Sequence, residues 1–154
     1  MSIITPEIEY VDRSIESIRY LEHGWQSDLC RWHSHREFEL HLIVATRGKA
    51  FVGDYIGEFR PGSLFLTGPY LPHNWVTDEI TSRQVSARDM LVQFDQESVN
   101  TLSLTFPEFD DMRHMFELAR SGIEFHSFDA KLVQRRLAEI RDSSGPERIL
   151  AFLQ

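Results

Sequence analysis

A short polar segment between residues 32 and 41 carries the side chains best suited to chemistry. It contains three histidines and two glutamates, namely His33, His35, Glu37, Glu39 and His41. Imidazole nitrogens and carboxylate oxygens are common ligands of divalent zinc, nickel, iron and manganese. A further histidine, His73, follows Pro72 later in the chain. These residues predict either one divalent transition-metal site or a water-filled pocket in which the histidines bond one another and Glu37.

Alternation along a β-strand places the five polar side chains of this segment on one face, because successive strand residues point to opposite faces. The other face carries Phe38, Leu40 and Leu42. A strand face with three histidines and two glutamates predicts a polar lumen. A straight strand rises about 3.3 Å per residue, so it separates His33 from Glu39 by about 20 Å, whereas ligands lie about 2 Å from a metal. A metal site therefore requires the chain to bend between His35 and Glu39.

Three aromatic residues flank the histidines: Trp32, Tyr70 and Trp75. Ligand pockets combine aromatic walls with a few polar groups, so these rings are candidates for stacking on a sugar or an aromatic effector. The alternative interpretation is that they form part of an aromatic core and its rim.

The surrounding sequence predicts a mainly β fold. Between residues 16 and 94, Gly and Pro recur every four to twelve residues and separate short runs rich in Val, Ile, Phe, Leu and Thr. This spacing is typical of a β-sandwich or barrel. Strands are predicted at residues 49–53, 56–59, 63–67 and 83–94. Pro61 and Gly62 fit the central positions of a type II turn, because Pro presets φ and Gly tolerates a positive φ.

After Phe106 the apolar residues repeat with helical spacing, which predicts two to three helices. The first begins at Pro107 and ends at Gly122, and the second has Asp129 as its N-cap and ends before Gly145. Pro146 begins a third, whose pattern runs to the last residue, so we expect the natural chain to continue or this end to dock on a partner. That short helix carries Ile149, Leu150, Phe152 and Leu153. Their clustering predicts self-association as a homodimer.

Composition and charge exclude several classes of protein. Hydrophobic residues make up 42% and charged residues 26% of the 154 residues, so the chain is neither disordered nor fibrous. The 24 acidic residues outnumber the 16 Lys and Arg, and the formal net charge of -8 disfavours direct contact with nucleic acid. The longest apolar run is too short to span a bilayer. With the lone Cys30 and no signal-peptide pattern, we expect a cytoplasmic protein without a membrane partner.

The order of the polar motifs resembles the cupin superfamily. His33-x-His35 followed by Glu39, then Pro61-Gly62, then Pro72-His73, is similar to the two sequence motifs of that superfamily. The resemblance implies a cupin double-stranded β-helix barrel, similar to a jelly roll, followed by the C-terminal helices. It also implies that one divalent ion, Zn, Ni, Fe or Mn, is held by His33, His35, Glu39 and His73.

A narrower resemblance is to the amino-terminal sensor domain of AraC-type bacterial transcriptional regulators. It is carried by the runs at residues 33–40, 51–54, 59–62, 66–69, 71–75, 119–125 and 144–150. The resemblance implies that residues 1–104 form the cupin sensor barrel and 105–154 a helical dimerisation and linker segment of the same domain. The DNA-binding half of such regulators is absent from this chain.

The function that this resemblance implies is binding of a small-molecule effector, without catalysis. The expected effector contacts are His33, His35, Glu37, Glu39, His41, Trp32, Tyr70 and Trp75, and sugars are among the candidate effectors. The alternative is a free-standing metal-dependent cupin enzyme, such as a dioxygenase or sugar isomerase, with Glu37 or His41 as acid or base. Neither the effector nor the sign of regulation follows from the sequence.

Overall fold

The computed structural model describes residues 5–12, 14, 16–25, 31–78 and 84–154, and Cys30 lies outside them. Ten strands and four α-helices form within these residues. The strands are β1 (Glu7–Ile8), β2 (Arg19–Trp25), β3 (His33–Ser34), β4 (Phe38–Ile43), β5 (Gly48–Val52), β6 (Tyr55–Phe59), β7 (Leu64–Thr67), β8 (His73–Thr77), β9 (Val85–Phe94) and β10 (Ile123–Phe125). The helices are α1 (Gln96–Thr105), α2 (Arg113–Leu118), α3 (Ala130–Asp142) and α4 (Gly145–Phe152).

The strands form two five-stranded sheets. Sheet 1 has the order β1-β3-β8-β5-β6, and sheet 2 has the order β10-β7-β4-β9-β2. The mainly β prediction is confirmed, and β5, β6, β7 and β9 match the four predicted strands to within two residues. The type II turn is also confirmed, because Gly62 has a φ of 93° and the Ser63 amide donates to the Arg60 carbonyl at 2.9 Å.

The predicted single strand through His33 and His41 is wrong in one respect, because the chain leaves one sheet and enters the other along this segment. β3 belongs to sheet 1 and β4 to sheet 2, with residues 35–37 between them. The Tyr70 amide donates to the His35 carbonyl at 2.7 Å and holds this crossing in place. The bend that a metal site requires is thus present, and strict alternation of faces applies only from Phe38 onward.

Apolar side chains form two separate clusters. The larger one lies between sheet 2 and the helices and includes Phe38, Leu42, Leu66, Met90, Val92, Phe94, Leu137 and Ile140. The smaller one lies between the two sheets and consists of Ile43, Ala50, Phe59, Phe65 and Trp75. The polar residues of the 32–41 segment share the space between the sheets with this smaller cluster.

The helices depart from the sequence prediction at two points. α1 was not predicted, because it buries only Val99 and so lacks an apolar repeat. It lies across the predicted boundary at residue 104. Asp95 caps it by accepting from the Ser98 amide at 2.7 Å. The predicted helix from Pro107 to Gly122 is a short α-helix between two 3-10 turns, Pro107–Met112 and Ala119–Ser121.

The rest of the C-terminal segment combines helices with one strand of the sheet. β10, within residues 105–154, pairs with β7 and so extends sheet 2. Asp129 is confirmed as an N-cap, since its side chain accepts from the Lys131 and Leu132 amides. None of the helices in the described part of the chain is long and apolar enough to cross a membrane.

Candidate functional site

Four residues from different strands meet in the space between the sheets. Each of His33, His35, Glu39 and His73 offers one ligand atom, and these atoms lie within 4.8 Å of one another. His33 and His73 are direct partners in the β3–β8 ladder, and the bend after His35 brings Glu39 of β4 toward them. His35, Glu39 and His73 are at most 2% exposed, and the His33 side chain is 14% exposed. The structure therefore brings together the four ligands implied by the cupin resemblance.

Backbone carbonyls fix the ring orientation of the three histidines. The Nδ1 atoms of His33, His35 and His73 donate to the carbonyls of residues 31, 37 and 71, at 2.7, 3.1 and 2.8 Å. A carbonyl only accepts hydrogen bonds, so Nδ1 carries a proton in each ring, and the nitrogen that could bind a metal is Nε2. The buried Nε2 of His73 has no hydrogen-bond partner among the described residues and lies 3.6 Å from Glu39 Oε1.

The Glu39 carboxylate is held at both oxygens by residues outside this group of four. His41 Nδ1 donates to Oε1 at 2.8 Å, and Gln93 Nε2 donates to Oε2 at 3.0 Å. His35 Nε2 lies 3.1 Å from Oε2. The His41 ring stacks on Trp75 with a centroid distance of 3.9 Å and an interplanar angle of 15°. Glu39 therefore has little freedom to rotate.

Asp89 is a second buried carboxylate, next to this site, and sequence analysis missed it. Its side chain lies 3.2 Å from His41 Nε2, 3.0 Å from His23 Nδ1 and 2.8 Å from Arg88 Nε. One clue was available in the sequence: Asp89 and Gln93 lie four positions apart within the predicted 83–94 strand. Such positions share a face. Because β9 carries Asp89 and Gln93 on its buried face, it extends the polar lumen.

Burial and the neighbouring partners oppose each other in setting the pKa values of His41, Glu39, Asp89 and His73. Burial alone would lower the pKa of His41, but the Asp89 and Glu39 carboxylates outweigh it and raise that pKa to about 9. Burial would raise the pKa values of Glu39 and Asp89, and their histidine partners instead hold both well below the usual range. Burial prevails at His73 and lowers its pKa to about 3, so its imidazole is neutral. A neutral imidazole is the form that binds a metal.

The remaining predicted contact residues are not all in the lumen. Trp75 is 3% exposed and lies between the sheets, whereas Tyr70 is 64% exposed and contributes only its amide to the site. The Tyr70 side chain is thus exposed on the β7–β8 loop, where this residue has a φ of 61°, and its effector contact stays a prediction. Trp32 is half-buried. Glu37 is fully buried, 3.7 Å from His35 Nδ1.

The donor set at this site fits a borderline divalent ion. Three imidazoles oriented with Nε2 inward and one carboxylate are the ligands that zinc, nickel, iron and manganese accept. The unpartnered Nε2 of His73 also favours a metal at this site. A buried polar atom without a partner costs free energy, and coordination of an ion would remove that cost. The residues present therefore match the needs of such an ion.

The described fold is similar to that of ToxT from Vibrio cholerae. In its apo form ToxT matches 88% of this chain with a TM-score of 0.55 and 11% sequence identity. ToxT bound to (E)-4-(8-methylnaphthalen-1-yl)but-3-enoic acid matches 90% of this chain with a TM-score of 0.50 and 8% identity. This chain spans about half the length of the ToxT chains, 52% and 54%. No protein-family profile matches the sequence, and no curated protein is similar to it.

Proposed function

We propose that this chain is the effector-sensing domain of an AraC-type transcriptional regulator. The observation that carries the proposal is the fold similarity to ToxT, an AraC-family regulator, over nearly the whole of this chain. The structure of ToxT with a bound organic acid supports a role in binding small molecules. The formal net charge of -8 agrees with a segment that does not itself contact DNA.

Two finer features belong to the same proposal. The two sheets form a cupin barrel, and its lumen holds one divalent transition metal on His33, His35, Glu39 and His73. The metal supplies a Lewis-acidic centre when bound, while His41 and Gln93 orient Glu39 beside it. An effector that enters the lumen contacts His41, Glu37 or Trp75, or binds the metal. An effector shifts the domain between two arrangements only by its different affinity for them.

The metal is tested by titrating the chelator-treated protein with Ni²⁺ and Zn²⁺ in a calorimeter. We expect one ion per chain, and a rise in stability of about 2.7 kcal/mol when free metal is 100 times its Kd. His73→Ala should weaken binding by at least about tenfold, whereas His114→Ala, whose side chain is 79% exposed, should not. If no ion binds and Tm does not change, the proposed metal site is wrong. The proposed sensor role does not depend on this result.

The regulatory role is tested by fusing this chain to a monomeric DNA-binding domain in a bacterial reporter strain. Self-association through α3 and α4 should make the fusion repress a promoter with two half-sites, because dimers bind paired sites. Leu150→Asp should abolish repression, since Leu150 is 63% exposed on α4. Ile56→Asp, equally 63% exposed but in β6 of sheet 1, is the matched control. Repression by neither the parent nor the control fusion would contradict the proposal.

The second candidate is a metal-dependent cupin enzyme, and the four converging ligands favour it. In that case His41 is the acid or base beside the metal. Turnover of a substrate that stops on chelation, together with a failure of the fusion to repress, would favour the enzyme. We expect repression without turnover.

A further inference from the structure

A cleft of about 1100 Å³ opens between the edges of the two sheets, away from the four-residue metal site. β6 is the last strand of sheet 1 and β10 the last strand of sheet 2. The Tyr55 hydroxyl bridges these edges by donating to Glu124 at 3.3 Å. The cleft is lined by the start of β5, the turn after β6, the end of β8 and the loop after β10. This volume lies just above the range of about 300 to 1,000 Å³ that small-molecule sites occupy.

The floor and one wall of the cleft are aromatic. Phe59 is 2% exposed and belongs to the cluster between the sheets, while Phe125 and Phe128 are half-buried and pack against the helix-side cluster. The cleft therefore lies where both apolar clusters reach the surface. An apolar ligand placed there would bury carbon surface mainly against the rings of Phe125 and Phe128, because Phe59 is already almost fully buried.

Arg60 stands on the rim directly after Phe59, on a turn that is held at three points. The Arg60 carbonyl accepts from the Ser63 amide at 2.9 Å, the Arg60 amide donates to Ser63 Oγ at 3.1 Å, and the Gly62 amide donates to the Ile43 carbonyl at 2.8 Å. A guanidinium on a rigid turn loses little backbone entropy when it binds, and its geometry suits a carboxylate.

The other charges on the rim leave Arg60 available. Lys49 lies opposite Glu58 in the β5–β6 ladder, and Glu124 is engaged by Tyr55. Asp78, on the same rim, lies beside Arg47, whose carbonyl accepts the Asp78 amide at 2.8 Å. Within the described part of the chain, no acidic side chain comes within 4 Å of the Arg60 guanidinium. None of the described residues therefore neutralises its charge.

The backbone around the cleft is strained at two places. Thr46, just before the lining residue Arg47, has a φ of 67°, and Ser127, between His126 and Phe128, has a φ of 61°. A β-branched residue with positive φ is an outlier, and such conformations concentrate at ligand sites. Two of the three non-glycine residues of this kind among the described residues flank this cleft.

We propose that this cleft is a second ligand site, which takes an organic carboxylate with a flat apolar body. The carboxylate pairs with the Arg60 guanidinium, and the body lies against the half-buried rings of Phe125 and Phe128. The site is independent of the four-residue cluster and would stand if that cluster bound neither metal nor effector.

The test uses two probes of nearly identical shape, naphthylacetate and its neutral amide naphthylacetamide, in calorimetric titrations of the 154-residue chain. We expect saturable binding of the carboxylate with a Kd below about 1 mM and about tenfold weaker binding of the amide, because only the carboxylate pairs with Arg60. Arg60→Gln should weaken carboxylate binding about tenfold and leave the amide unchanged, and Arg60→Lys should restore part of the loss.

The matched control is Arg135→Gln, which removes the same charge from an exposed position on α3 outside the cleft. It should leave the affinity for both probes within about twofold of the parent value, since distant exposed charges are screened. Three results would overturn the proposal: no carboxylate binding up to about 5 mM, equal affinity for the two probes, or an equal effect of the Arg60 and Arg135 variants. The sensor role, tested by the reporter fusion, would be unaffected by any of them.

Discussion

The two faces of sheet 2 are built from the same strands, but only the inner face carries buried polar and charged side chains beside its apolar ones. The outward residues of β4, β7 and β9 are apolar and pack against the helices, as Phe38, Leu66 and Met90 do. The inward residues that alternate with them include Glu39, Thr67, Asp89 and Gln93, all at most 2% exposed. Both faces are buried, so burial alone does not explain the difference.

The two faces divide stability and function between them. Burial of apolar side chains on the outer face contributes favourable free energy in proportion to area, whatever the exact partners. Burial of charged groups on the inner face costs free energy unless each is paired, so its residues depend on one another's positions. The outer face is thus expected to tolerate conservative exchange, and the inner face is not.

The largest expected effect is on the outer face, where Phe38 is fully buried between Phe94 and Phe116 at centroid distances of 5.4 and 5.2 Å. Phe38→Ala should lower the free energy of unfolding by about 4 kcal/mol, because it leaves a cavity in a packed core. Phe38→Leu, which keeps most of the volume, should cost about half as much. Urea denaturation measures the loss in free energy of unfolding for both variants. Equal losses would show that the size of the cavity at this face does not determine the loss.

On the inner face, Asp89→Asn should lower the free energy of unfolding by about 3 kcal/mol. The variant leaves the buried Arg88 and His41 without the carboxylate that both contact. Asp111→Asn, which removes an exposed acid, should change stability by less than about 0.5 kcal/mol. Thermal unfolding of the three proteins at neutral pH provides the comparison. A loss below about 1 kcal/mol for Asp89→Asn would mean that the contacts of Asp89 with Arg88 and His41 contribute little to stability.

The inner face should also make stability depend on pH in the metal-free protein. The pKa of His73 is about 3 in the folded protein and about 6.5 in the unfolded chain. The unfolded chain therefore takes up the proton first, and the free energy of unfolding decreases as pH falls below about 6.5. The pKa of His41 is about 9 in the folded protein, above its value in the unfolded chain. Protonated His41 therefore stabilises the folded protein fully below about pH 6.5, and this stabilisation is lost as pH rises toward 9. Stability should therefore peak between about pH 6 and 7.

Two variants separate these contributions in chelator-treated protein. His41→Gln should flatten the decline above about pH 7, because the titrating imidazole is gone, and should leave the acid limb in place. His114→Gln, at an exposed position on α2, should leave the whole curve unchanged. Urea denaturation at a series of pH values measures these curves. An alkaline decline of equal slope in parent and His41→Gln protein would assign that limb to other groups.

The smallest expected effect compares two buried threonines. Thr67 Oγ1 has no hydrogen-bond partner among the described residues, whereas Thr77 Oγ1 lies 3.2 Å from Thr46 Oγ1. Thr67→Val should therefore be neutral or stabilise by about 1 kcal/mol, and Thr77→Val should destabilise by about 1 kcal/mol. Chemical denaturation of both variants decides the point. Equal destabilisation would show that a water or ligand satisfies the Thr67 hydroxyl.

Much of the outline of this protein was predictable from local sequence. Gly and Pro spacing predicted strands β5, β6 and β7, and the Asp129 cap and apolar repeat predicted α3, because turns, caps and amphipathic faces depend on neighbouring residues. α1 was missed because its one buried residue, Val99, leaves no repeat to detect. The exposure of the Tyr70 side chain was not predictable, because the direction of a loop side chain depends on tertiary packing.

The sequence by itself determined which residues of the 32–41 segment are polar on one side and apolar on the other, and which four residues are suited to a metal. Only the tertiary structure decided that His33 and Glu39 meet, since this depends on the chain crossing between sheets at residues 35–37. It alone placed Asp89 and Gln93 beside His41 and Glu39, and it alone opened the cleft below Arg60. Contacts between residues far apart in sequence arise from strand pairing and sheet packing, which leave no local pattern in the chain.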